Sequence, residues 1–171
     1  IYNNADRKVT SQSDLFLKFC KGLTIGITGT KGKSTTASLV HHLLQQAGRQ
    51  SYLVGNVGTP VFDIVEEIGE HSFVVYELSS NQLEDISSAP AVAVLLNLFP
   101  EHLDRYPDLE SYFRAKLNII RCQSAGSLCV SNRSFKNEVN SVLPMGVAQF
   151  EFSIKEKVSN GLFADEATVY K

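Results

Sequence analysis

The chain has 171 residues, with 16 lysines and arginines against 18 aspartates and glutamates for a formal charge of −2, and it is 43% hydrophobic and 20% charged. That length suits one compact domain burying about 70% of the surface its unfolded form exposes, and the composition excludes a disordered or fibrous chain. The near-neutral balance gives no field for gripping nucleic acid or an anionic membrane, and no apolar run approaches the roughly 18 residues that span a bilayer.

The opening residues Ile1 to Arg7 lack the basic-then-apolar layout of a signal peptide. Cys20, Cys122 and Cys129 show no Cys-x-x-Cys spacing, which argues against both a disulfide framework and a zinc knuckle. A reducing, cytoplasmic location is expected. A start at Ile1 rather than methionine reads as a piece of a longer protein.

Polar residues lead to Leu15-Phe16-Leu17, which closes an entry segment with a short amphipathic helix. Leu23–Ile27 is a β-branched run ending near glycines and predicts a buried strand. Ser34–Ala47 carries apolar residues at 37, 40, 43, 44 and 47, a helical face closed by Gly48. Ser51–Val54 predicts a second strand, and Pro60 opens a helix over Val61–Ile68. Phe73–Leu78 and Ala91–Leu96 are nearly continuous apolar runs, as expected of parallel strands covered on both faces. A helix over Leu109–Cys122 and a strand at Ser127–Val130 extend the alternation, and after Pro144 the segments Val147–Ser153 and Gly161–Tyr170, with a Ser159-Asn160-Gly161 turn, predict a small antiparallel extension. The fold class is therefore α/β, a mainly parallel P-loop-type sheet flanked by helices, with that extension at its C-terminal end.

Gly29-Thr30-Lys31-Gly32-Lys33-Ser34-Thr35 joins the first strand to the first long helix. Its glycines turn backbone N–H groups inward and the helix start adds partial positive charge, an arrangement suited to phosphate oxygens. Lys33 would neutralise the β- and γ-phosphates and Ser34 would offer a hydroxyl to Mg²⁺. The strict Walker pattern asks for glycine where Ile27 stands, but the strand–loop–helix context is the one the motif requires. The competing reading is a glycine turn with a solvated lysine.

Ligands of open α/β sheets bind beyond the carboxyl ends of the strands. Here that edge gathers Lys33 and Ser34, then Asn56, then Glu77 with Ser79 and Ser80, then Asn97, His102 and Asp104. Glu77 interrupts an apolar strand, where an unpaired carboxylate costs several kcal/mol. It therefore binds Mg²⁺, caps the following turn, or pairs with an arginine. Taken alone, His102 reads as a surface or hydrogen-bonded histidine rather than a ligand. His41 and His42 read as structural. From periodicity alone Lys116 is a snorkelling or solvated lysine.

Together these segments resemble the central ATP-binding domain of the Mur ligases, which extend the peptide stem of the bacterial cell-wall precursor. The resemblance is carried by Thr28–Thr36, Gly55-Asn56-Val57-Gly58-Thr59-Pro60, Glu77-Leu78-Ser79-Ser80-Asn81-Gln82-Leu83-Glu84, His102-Leu103-Asp104-Arg105-Tyr106 and Ala115-Lys116, over about residues 8–130. The Glu-Leu-Ser-Ser-x-Gln-Leu-Glu stretch is the most discriminating. It is similar to the member that joins D-glutamate to UDP-N-acetylmuramoyl-L-alanine more than to those adding L-alanine, a diamino acid or the terminal dipeptide.

The resemblance implies an ATP-dependent, ADP-forming ligase working through an acyl phosphate, with Lys33, Glu77, His102 and Lys116 as catalytic residues. It implies ATP and Mg²⁺ as cofactors, with Gly29 to Thr35 on the nucleotide. Asn56 and Ser79 would lie on the UDP-linked substrate. Ser34, Glu77, His102 and a carbamylated Lys116 would face metal. The partners implied are small molecules, with no nucleic acid or membrane, and the protein is expected to act as a monomer.

Lys31 stands where the family often has Asn, and Phe99 occupies a position that is usually small and polar. The family's Gly-x-His-Asn-x-x-Asn stretch and C-terminal domain do not occur in these residues. Residues 1–21 are thus expected to end a preceding domain or linker and 22–171 to form an incomplete central domain, which holds ATP weakly without ligating. A folylpolyglutamate synthase-like ligase of the same superfamily, a P-loop kinase or NTPase, and a non-catalytic nucleotide-binding module remain as alternatives. Substrate profiling separates the first, ATP turnover without an amine the second, and indifference to Glu77 and Lys116 substitution the third.

Overall fold

A computed structural model describes residues 10–56, 58–101, 104–165 and 168–170. Its centre is an eight-stranded sheet in the order β2-β3-β1-β4-β5-β6-β7-β8, formed by Leu23–Thr28 (β1), Ser51–Gly55 (β2), Phe73–Glu77 (β3), Val92–Leu95 (β4), Leu128–Asn132 (β5), Ala148–Ser153 (β6), Gly161–Ala164 (β7) and Val169–Tyr170 (β8). The helices are Gln12–Phe19 (α1), Lys33–Gln46 (α2), Ser80–Leu83 (α3), Leu109–Arg121 (α4) and Lys136–Asn140 (α5). No helix among the described residues is long and apolar enough to cross a membrane.

The continuous apolar runs match strands covered on both faces. Val75 faces one way with Ile27, while Val74 and Tyr76 face the other, so β3 is closed off on both sides. On one face Ala37, Val40 and Leu44 of α2 cover Ile25, Ile27, Leu53, Val75 and Val94. On the other, α1, α3, α4 and α5 contribute Phe16, Leu83, Leu117, Ile119, Ile120 and Val139 against Val54, Val74, Tyr76, Ala93 and Cys129. Each such aliphatic side chain, fully buried, contributes about 1.5–3 kcal/mol.

The chain leaves β1 for β2 on one side of the sheet and reaches β4 on the other, with β1 between β3 and β4. This reversal opens a crevice at the carboxyl end of β1, the usual ligand position in such sheets. Two registers set its walls: Ile27 lies opposite Glu77 of β3, and Thr28 opposite Leu95 of β4. Gly55 ends β2 opposite Glu77 with φ 116°, and a Cβ there would sit 2.2 Å from the Glu77 carbonyl oxygen. Only glycine lets β2 lie so close to the last residue of β3.

Two expectations are corrected. Strands β6 and β7 continue the parallel sheet, Val130 lying opposite Phe150 and Phe152 opposite Leu162, and the antiparallel extension is confined to β7 and β8. An alternating pattern marks a strand with one face more open than the other and carries no direction, and the Ser159-Asn160-Gly161 segment links parallel neighbours instead of turning a hairpin. The helix expected over 61–68 is a 3-10 turn, Val61–Asp63, followed by irregular turns. Val61, Ile64 and Ile68 still bury against the sheet. The segment's β-branched residues favour helix weakly, and this burial does not require one. The short helices α3 and α5 have no counterpart in the sequence reading.

Candidate functional site

The loop Gly29–Gly32 leaves β1 and ends at Gly32, the N-cap of α2, with φ 83°. That conformation suits glycine and leaves the helix start without a side-chain cap, and the first turn holds no acidic residue. Lys33 stands there instead, against the usual preference for negative charge at a helix start. The first closing bond is Thr36 N–H to the Gly32 carbonyl at 3.0 Å, so the N–H groups of Lys33, Ser34 and Thr35 lie ahead of the helix's own ladder. Uncapped N–H groups with a lysine and no carboxylate form an anion seat.

The loop is narrower as a phosphate cradle than its glycines imply. Thr30 N–H donates to the Asn97 carbonyl at 3.1 Å, and Lys31 N–H donates to Asn97 Oδ1 at 2.9 Å. Both donors face the segment leaving β4, which leaves residues 32–35 for an anion. Lys33 Nζ folds back onto the carbonyls of Gly29 (3.1 Å) and Thr30 (3.0 Å), while the Lys31 side chain is exposed.

Glu77 ends β3 only 3% exposed, and its Oε2 has no hydrogen-bond partner. Neither the capping nor the arginine alternative holds for that oxygen. A buried carboxylate oxygen left open at a strand exit is a fitting ligand for a hard cation. No group of three His, Cys, Asp or Glu gathers into a metal cage among the described residues. Mg²⁺ takes one or two carboxylates together with substrate phosphates and water, so a single such oxygen is a chemically sufficient protein contribution.

Lys116 overturns the expectation of a solvated side chain: it is 2% exposed. Its Nζ donates to the Gly29 carbonyl at 3.0 Å and sits 4.8 Å from the centre of the Tyr112 ring. Burial, reinforced by the charge of Lys33 and partly opposed by Glu101, lowers its pKa to about 8. Two lysines from different elements thus share one loop carbonyl.

A cleft of about 290 Å³ is lined by Lys33, Asn56, Ser79, Ser80, Asn81, Arg105 and Lys116. It unites Lys33, Asn56, Ser79 and Lys116, all expected from the sequence. Ser79 is also the N-cap of α3, in a capping box with Gln82. Ser34 and Thr35 are exposed at the start of α2, and His102 lies outside the described residues. Asn81 and Arg105 were not singled out, though both sit inside the motifs quoted above. Phe99, the unusual bulky residue, packs its ring edge-on against Phe135 at 6.0 Å and turns its backbone toward Thr30.

Residues 27–169 match the family model described as the Mur ligase middle domain. The chain is 42% identical over 155 residues to the UDP-N-acetylmuramoylalanine–D-glutamate ligase of Clostridium kluyveri, spanning 90% of this chain and 33% of that protein. It is 39% identical over 157 residues to the ligase of the same name from Clostridium acetobutylicum, spanning 91% and 34%. The chain therefore spans about a third of the length of these curated relatives. Its fold is that of the MurF ligase from Thermotoga maritima, crystallised with ADP, at a TM-score of 0.64 and 23% identity, over 97% of this chain and 43% of that one.

Proposed function

Because this chain belongs to the Mur ligase middle-domain family, we propose that it is the nucleotide-holding centre of a cytoplasmic, ATP-dependent ligase that joins D-glutamate to UDP-N-acetylmuramoyl-L-alanine in peptidoglycan-precursor synthesis. The observation that carries this reading is the meeting of Lys33, Asn56, Ser79, Arg105 and Lys116 in one cleft beside an uncapped helix start. The names of the clostridial relatives support the choice of substrates. In this reading residues 1–21 close a preceding domain or linker, 22–171 form the central domain, and the enzyme acts as a monomer on small molecules.

In such a reaction the γ-phosphoryl group of ATP passes to a carboxylate oxygen of the UDP-linked substrate, and ADP leaves. The amine of D-glutamate then attacks the acyl-phosphate carbon, a C–N bond forms, inorganic phosphate departs and the amine loses a proton. The protein's task is to place the reactants and stabilise the charge on the transferred group. Lys33 exchanges the Gly29 and Thr30 carbonyls for phosphate oxygens, and the N–H groups of residues 32–35 hold the same anion. Asn56 and Ser79 orient the UDP-linked substrate from the facing wall.

Magnesium, when bound, would neutralise phosphate charge. Ser34 and Glu77 are the residues that would hold it, with His102 and a carbamylated Lys116 at a second ion. The open Oε2 of Glu77 fits this assignment, and the lowered pKa of Lys116 raises the share of neutral amine, the form that carbamylation needs.

The test is calorimetric titration of the chain with MgADP. Wild type should bind and Lys33→Ala should bind at least tenfold more weakly, the loss expected when a charge-assisted phosphate contact is removed. Equal affinities would sink the phosphate-loop assignment. In the intact enzyme, ATP turnover that proceeds without D-glutamate or another amine would favour an NTPase.

A further inference from the structure

The side chain of Thr30 is 5% exposed and its hydroxyl makes every hydrogen bond such a group can make. It donates to the Phe99 carbonyl at 3.2 Å, accepts from Phe99 N–H at 2.9 Å, and accepts from the Tyr112 hydroxyl at 3.4 Å. Beside it, Asn97 Oδ1 accepts from Lys31 N–H at 2.9 Å, and its Nδ2 donates to the Lys31 carbonyl at 3.0 Å. Thr30 N–H to the Asn97 carbonyl completes the contact. Three elements meet here: the phosphate loop, the segment leaving β4, and α4, whose Tyr112 carries the Lys116 ammonium over its ring.

We propose that Thr30 and Asn97 are positioning residues that clasp the phosphate loop to the β4 exit and so fix its distance from Lys116. The proposal rests on the nucleotide-binding reading above for its purpose, but not for its geometry. A glycine loop left to itself samples many backbone states, and each must be given up when an anion binds. Bonds to a segment more than sixty residues away hold residues 29–31 in one of those states before the ligand arrives. The N–H groups of Thr30 and Lys31 are thereby kept out of the cleft, and those of residues 32–35 are presented to it.

The test uses Thr30→Val, which keeps shape and removes the hydroxyl, Thr30→Ser, which keeps the hydroxyl, and Asn97→Ala at a half-buried position. Without nucleotide, amide hydrogen exchange in residues 29–33 and 97–101 should accelerate together, about tenfold or more, in Thr30→Val and Asn97→Ala, and should stay at the wild-type rate in Thr30→Ser. The MgADP dissociation constant should rise about tenfold in the same two variants, with the melting temperature of Asn97→Ala little changed, and return in Thr30→Ser.

Unchanged exchange overturns the proposal, as does faster exchange with wild-type affinity, or a Thr30→Ser variant that behaves like Thr30→Val. Should wild type itself not bind MgADP, the nucleotide reading fails. The exchange result then decides the clasp alone: joint loss of protection in the two segments supports it, and independent behaviour rejects it.

Discussion

Asp14 and Glu77 are carboxylates closed off from water to a similar degree, 6% and 3% exposed, yet their surroundings are opposite. Asp14 sits in the first turn of α1 and accepts the N–H groups of Ser87 and Ser88 at 2.7 and 2.8 Å, with the hydroxyls of Ser87 and Thr10. The neighbouring Ser13 hydroxyl lies 2.9 Å from that of Tyr76, and Phe16 meets the Tyr76 ring edge-on at 5.6 Å. These contacts tie α1 to the strand that ends in Glu77. Glu77 itself, one residue further along that strand, leaves Oε2 without any partner. The carboxylate of Asp14 is used up by the fold, whereas Glu77 keeps one oxygen open at a strand exit, as the proposed magnesium role requires.

The sharpest way to break this comparison is to remove each carboxylate and read stability. Asp14→Ala strands the Ser87 and Ser88 N–H groups, and charge-assisted bonds of this kind are worth about 1.5–3 kcal/mol each. A loss of about 3 kcal/mol in urea unfolding is expected, with MgADP affinity unchanged whenever the protein is folded. A loss below about 1 kcal/mol would show that α1 is held by Phe16, Leu17 and the Ser13–Tyr76 contact rather than by Asp14.

Glu77→Met should do the reverse. It replaces an incompletely bonded polar group with an apolar one of similar size, a change that is neutral or stabilising by about 1 kcal/mol. Magnesium-dependent strengthening of ADP binding should disappear in the same variant. A clear destabilisation, measured in the same unfolding experiment, would mean that Glu77 supports the fold.

The contrast also marks how far the sequence could be read. The parallel core was legible because both faces of β3 and β4 are closed, which writes continuous apolar runs at 73–78 and 91–96. Lys33, Asn56 and Ser79 meet at one cleft because the carboxyl ends of parallel strands share an edge, and Lys116 reaches the same cleft from α4. The burial of Lys116 was in principle visible: Tyr112, Lys116, Ile119 and Ile120 form one stripe of α4, so the lysine occupies a core-facing position that its residue type disguised. The clasp between Thr30 and Asn97 was not visible, because it joins residues far apart in sequence through side-chain geometry that no local pattern encodes. The direction of β6 and β7 was hidden for a related reason, since strand alternation reports exposure and not orientation.

The smallest expected effect lies in the acid limb of stability, and it sharpens the same comparison. Burial pushes the Asp14 carboxyl up, but the N–H groups of Ser87 and Ser88 and the hydroxyls of Ser87 and Thr10 outweigh it and hold its pKa below the ordinary 3.8. The folded state therefore binds its proton less readily than the unfolded chain does. Its contribution is complete well above pH 3.8 and is lost as the pH falls through the lower folded value. Asp108, lowered chiefly by the Ser111 N–H, titrates in the same direction from an exposed helix cap. The difference between wild type and Asp14→Asn isolates the buried group. Followed by urea unfolding from pH 6 down to pH 3, that difference should narrow toward acid and be flat above pH 5. A difference that stayed constant across the range would mean that Asp14 acts by shape and hydrogen bonding alone, and the charge would drop out of the explanation of how α1 is held.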